Sequence, residues 1–145
     1  MTESPRYLLD VNVLIALLDE DHIHHQVVTE WFATPGLQWA ICPLSEAGFL
    51  RHMIRPSTGG LTMDEATKLL ARLALEYGYH YHPVADSWST LTKPFFHRLH
   101  GYRQVTDAWL LGMAIQDGLV LATFDRAILH MAGDHQSHVL LLPAS

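Results

Sequence analysis

The strongest constraint on this chain is the order in which two hydrophobic periodicities follow one another. Short apolar runs of strand length, bounded by polar or turn residues, alternate with longer stretches whose apolar residues recur at three- and four-residue spacing. That alternation predicts an α/β fold with a mainly parallel central sheet. The expected strands, about five, are Tyr7 to Leu9, Gln38 to Cys42, Tyr79 to His82, Leu119 to Ala122 and Val139 to Leu142. Between them, Ala66, Leu69, Leu70, Leu73 and Ala74 predict a helix from Met63, with Thr62 as its cap and Gly78 as its stop. A second helix is expected from Val105 to Gln116, closing at Gly118, and the stretch Arg55 to Gly60 reads as a loop.

With 145 residues, 49% of them hydrophobic, the chain has material for one real core and no room for a second full domain, so 1–145 is expected to fold as one unit. Neither a leader pattern nor a long uncharged apolar run stands in it, which makes the cytoplasm the expected location and a membrane an unexpected partner. The single cysteine, Cys42, lies in an apolar run and reads as a buried small hydrophobe. A net charge of −6 argues against a module that holds nucleic acid by a basic surface, because phosphate contacts supply most of that affinity. It argues less against a nuclease whose carboxylates are loaded with divalent cations, which locally reverse the sign.

Four acids stand out by position. Asp10 directly ends an apolar run, Glu46 and Asp107 open expected helices, and Asp125 follows Ala122-Thr123-Phe124. In open parallel sheets, sites form beyond the carboxyl ends of the strands, so acids distant in sequence can converge there. Oxygen ligands of this kind suit magnesium or manganese. Any one of them alone reads equally as a helix-capping or first-turn acid.

Taken together, Leu8-Leu9-Asp10-Val11-Asn12-Val13-Leu14-Ile15, Ser45-Glu46, Gln104-Val105-Thr106-Asp107-Ala108-Trp109 and Leu121-Ala122-Thr123-Phe124-Asp125-Arg126 resemble the PIN domain, and within it the VapC-type toxin ribonucleases of type II toxin–antitoxin systems. The resemblance spans nearly the whole chain. It implies a PIN-like three-layer fold and one or two Mg2+ or Mn2+ ions held by Asp10, Glu46, Asp107 and Asp125, with Asn12 and Thr123 in support. It also implies endoribonuclease hydrolysis leaving a 5′-phosphate and a 3′-hydroxyl, and a small cognate antitoxin as partner. Transfer RNA is the favoured substrate and a homodimer the expected assembly. A cationic antitoxin side chain entering the acid cluster, with apolar contacts near Trp31 and Phe32 or Phe49 and Ile54, would account for inhibition.

Arg51, Arg55, Arg103 and Arg126 are the candidate RNA contacts, since each lies near an acidic motif or the loop after one. Tyr102 and Trp109 offer rings for a base, although the helical spacing of Trp109 also fits a core position. His22, His24 and His25 form the densest histidine cluster; capping, RNA contact and adventitious metal all remain open for it. Two other readings suit an acidic sheet edge. A haloacid-type phosphatase needs a second aspartate where Asn12 stands, and a receiver needs an acidic pair near its first strand; a non-catalytic interaction module on the same fold would need only the acids' charge.

Overall fold

The structure is a computed structural model and describes residues 4–78 and 80–143. Strands β1 (Arg6–Leu9), β2 (Gln38–Ala40), β3 (Val120–Thr123) and β4 (Val139–Leu141) form one sheet in the order β2-β1-β3-β4, all parallel. Tyr7 pairs with Trp39 on one side and Val120 on the other, so β1 and β3 lie at the centre. The expectation of about five strands becomes four and an isolated bridge between Ile41 and Tyr81. Tyr79 lies outside the described residues, and Pro83, which has no N–H to donate, follows His82 and stops the ladder from extending.

Both sheet faces are covered, as parallel strands require. Because consecutive side chains of a strand point to opposite faces, Leu9 and Ala122 join the core beneath α1 (Val11–Leu18), α2 (His25–Phe32), α3 (Pro43–Ile54) and α4 (Met63–Tyr77). Leu8 and Leu121 join the opposite core beneath α5 (Trp88–Thr92), α6 (Val105–Asp117) and α7 (Arg126–Ala132). This is the three-layer arrangement expected from the sequence. Cys42 is fully buried, and so is Phe49, which closes it to any partner.

Local chemistry sets the helix ends. In α4, the Thr62 hydroxyl accepts the Glu65 N–H at 3.1 Å while the Glu65 carboxylate accepts the Thr62 N–H at 3.0 Å, and Gly78 turns the chain out at φ 67°. Helix α6 needs Gly112 for a different reason: a Cβ there would stand 2.6 Å from the Leu91 carbonyl oxygen of α5. Among the described residues no helix is long and apolar enough to cross a membrane.

The strand order places the site. From β1 the chain moves to one edge of the sheet, and from β3 to the other, so the order reverses between these neighbours. A crevice beyond the carboxyl ends of β1 and β3 follows from that reversal.

Candidate active site

Asp10 leaves β1 in extended conformation and caps α1, and only 4% of its surface is exposed. One of its carboxylate oxygens accepts the Val11 N–H at 2.7 Å and the other accepts the Thr123 hydroxyl at 2.7 Å. The same Thr123 oxygen accepts the Asp125 N–H at 3.0 Å, and Asp125 in turn caps α7 through the Ala127 N–H at 2.9 Å. Asn12 accepts the Phe124 N–H at 3.4 Å, tying the first turn of α1 to the segment after β3. From the other side, the Ser45 hydroxyl donates to the Leu9 carbonyl at 2.6 Å and fixes the start of α3 at the end of β1.

These contacts open a cleft of about 450 Å³ in which Asp10, Asp107 and Asp125 face Arg51, His52 and Arg55. The acids interact through space. Burial pushes the Asp107 carboxyl up to about 7, and the charges of Asp10 and then Asp125 add to the effect. Asp10 is also raised, by burial above all, against the lowering effect of its bonds from Thr123 and Val11. A cation in the cleft would favour the ionised forms of Asp10 and Asp107.

Glu46 stands apart from this trio. It is half-buried in the first turn of α3, but the cleft is lined by Leu44, Ala47, Gly48 and Arg51 of that helix. Two residues of helix rotate the chain by about 200°, so Glu46 lies nearly opposite Gly48. Among the described residues no three acidic or imidazole side chains are close enough to enclose a metal ion. Such enclosure is not needed for Mg2+, which keeps several waters and takes one or two carboxylates directly. The donor set, all hard oxygens around one cleft, therefore fits that ion.

Of the candidate RNA contacts, Arg51 and Arg55 line the cleft, whereas Arg126 is exposed at the start of α7 and Arg103 lies with its guanidinium 5.7 Å from the Tyr102 ring centroid. Trp109 packs into the second core, and Tyr102 is 81% exposed. The histidine cluster is less solvated than a loop implies. His25 opens α2 with Nδ1 2.8 Å from the Ala16 carbonyl, the His22 Nδ1 accepts the His24 N–H at 3.1 Å, and the His24 ring stacks on Phe124 at 4.6 Å. Burial, followed by the neighbouring His24, lowers the pKa of His22, and His52 also contributes. Sequence reasoning missed His52; its signal was its position one turn beyond Gly48 on α3.

Fold and site together define an α/β protein with an acidic cleft at a topological switch point. A family model described as the PIN domain matches residues 7–134. "Ribonuclease VapC38" of Mycobacterium tuberculosis is 41% identical over 128 residues, covering 86% of this chain and 89% of that protein. "Ribonuclease VapC44" of the same organism is 37% identical over 132 residues, covering 85% and 88%. The chain belongs to the PIN-domain family and, within it, to the VapC ribonucleases. The fold is also that of the solved VapBC2 from Rickettsia felis, bound to a DNA fragment from their promoter, with a TM-score of 0.66 at 10% identity over 95% of this chain and 99% of that one. For VapBC-1 from nontypeable Haemophilus influenzae the TM-score is 0.65 at 14% identity, over 94% and 97%.

Proposed function

We propose that the chain is a divalent-metal-dependent endoribonuclease and the toxin of a toxin–antitoxin pair. The observation that carries this reading is the convergence of Asp10, Asp107 and Asp125 on one cleft flanked by Arg51 and Arg55. In it, Asp10, Asp107 and Asp125 would hold Mg2+ or Mn2+, and Glu46, in the first turn of α3, would complete the acidic set. Bound there, the ion would supply an activated water and neutralise charge at the leaving oxygen. The protein's own part is positioning. Thr123 keeps the Asp10 carboxylate in one orientation, Asn12 holds the loop that carries Asp125, and Arg51 and Arg55 grip the non-bridging phosphate oxygens.

A small antitoxin is the expected partner, and the cytoplasm the expected place of action. A groove of about 590 Å³ between α1, α2 and α4, walled by Phe32, Leu61, Leu69 and Leu73, offers an apolar seat for an antitoxin helix. Incubation of the protein with a panel of structured RNAs, transfer RNA included, with and without Mg2+ or Mn2+ and followed by mapping of the ends, tests the activity. Cleavage that leaves 5′-phosphates and stops on adding chelator is expected. Folded, metal-loaded protein that leaves every RNA intact would sink the enzymatic reading in favour of an interaction module.

A further inference from the structure

The cations of this acidic chain are not spread evenly. Nine Lys and Arg stand against fifteen Asp and Glu, yet among the described residues only Lys68 and Arg72 pair with a carboxylate. A second cleft, of about 530 Å³ and separate from the carboxylates, is lined by His97, Arg98, His100 and His130 beside Gln104 and Ala127. No Asp or Glu lines it. One arginine and three imidazoles, from two segments, residues 97–100 and α7, meet there in a chain of net charge −6.

The cleft's donors are positioned. The Arg98 guanidinium packs against the backbone of Gly133 in the turn after α7, so close that a Cβ there would collide with it. The Gln104 carbonyl oxygen accepts the His100 N–H at 2.6 Å and the Gly101 N–H at 3.4 Å, which fixes that side chain while its amide N–H groups stay available. Ala127 links the two clefts: it lines this one, and its N–H donates to Asp125 of the other at 2.9 Å. At about 1.5 Å per helical residue, His130 stands about 7.5 Å along α7 from Asp125. That axial span matches about two nucleotide steps of a strand rising about 3.4 Å each.

We propose that the His97–Arg98–His100–His130 cleft is a phosphate subsite for the RNA backbone, about two nucleotides from the scissile bond. The proposal rests on the ribonuclease reading and extends it along the strand. Phosphate oxygens meet the Arg98 guanidinium and imidazole N–H groups there, while the acids hold the reacting phosphate. The subsite reads backbone rather than base, so it adds affinity without choosing sequence.

Binding without turnover tests it, with Asp10→Asn protein as the parent and fluorescence anisotropy of labelled RNA as the readout. Arg98→Gln and His130→Gln should each weaken a single-stranded RNA of about twenty nucleotides by about tenfold, and Arg98→Gln should flatten the salt dependence by about 0.7 in log–log slope. A dinucleotide, too short to reach from Asp125 to His130, should lose less than about twofold. Lys68→Gln, on exposed α4, controls for diffuse charge and should change nothing. His130 is exposed, so its variant remains informative if Arg98→Gln does not fold. Unchanged affinity and slope in the two variants, an equal loss in Lys68→Gln, or tighter Arg98-dependent binding of an acidic peptide than of RNA each overturn the subsite. If wild-type protein cleaves RNA while both variants bind like the parent, the subsite falls and the ribonuclease reading stands. If no RNA is cleaved but binding still depends on Arg98 and His130, the ribonuclease reading falls and the RNA contact stands.

Discussion

Thr123 is fully buried and its one oxygen joins two acids, donating to Asp10 and accepting from the Asp125 backbone. Replacing it by valine keeps the shape and strips both bonds. Thr123→Val should therefore cost about 1–3 kcal/mol of stability, read from a denaturant melt, and about 10- to 100-fold in cleavage rate, the usual effect of losing a side chain that orients a metal ligand. Asp10→Asn should fold and melt near wild type while losing at least about 100-fold in cleavage; near-normal cleavage by that folded variant would remove Asp10 from the reaction. Asp107 makes a pH prediction for the metal-free protein. Its carboxyl titrates near 7 in the fold and near 3.9 in an unfolded chain, so between those values the folded state binds the extra proton. Stability must then fall as pH rises from about 4 to about 7. Melts in chelator across that window should show a declining Tm, and the decline should be smaller in Asp107→Asn, where only the raised Asp10 carboxyl is left to contribute.

At the level of elements, the helix boundaries that came true were those with their chemistry within a few residues. The Thr62 cap and the Gly78 stop bound α4 as expected, the structure adding the reciprocal bond to Glu65, and Gly118, at φ 68°, ends α6. Of the strand expected from Tyr79 to His82, the described residues form a single parallel bridge, Tyr81 to Ile41, because Pro83 removes the next donor. The Gly112 contact is of the same non-local kind. Gly112→Ala raises helix propensity by about 1 kcal/mol, yet its methyl would meet the Leu91 backbone, so overpacking of about 1–3 kcal/mol should win. A net loss in thermal stability is expected; a gain would mean that α5 yields without cost.

Across the whole molecule, the proposed metal site makes a stability prediction, because the charges of Asp10 and Asp125 add to the burial that raises the Asp107 carboxyl and a divalent ion would relieve that repulsion. Millimolar Mn2+ or Mg2+ should raise Tm, by about 2.7 kcal/mol of stabilisation at a hundredfold excess over Kd, and Asp10→Asn should reduce the rise. The apolar groove between α1, α2 and α4 leads to a partner prediction: co-expression with the product of the adjacent small gene should give a complex in which cleavage is suppressed. Light scattering on the same sample, and on the chain alone, would check the homodimer expected from the family. If no complex forms and the added product leaves cleavage unchanged, the toxin–antitoxin assignment fails while the nuclease survives.

What the sequence determined by itself was local or periodic: the alternation of strand and helix, the parallel sheet, the caps, and the acids Asp10, Asp107 and Asp125 placed at strand ends or helix starts, where backbone direction alone brings them to one edge. Only the tertiary structure decided the rest. Which side of α3 faces the cleft depends on how Gly48 seats against Val11, so Arg51, His52 and Arg55 line it and Glu46 does not. The basic cleft joins residues 97–104 to α7, segments whose meeting depends on packing across α6. Side-chain periodicity reports the face a residue buries, but not the neighbour it meets there, because that neighbour is chosen by contacts between residues far apart in the chain.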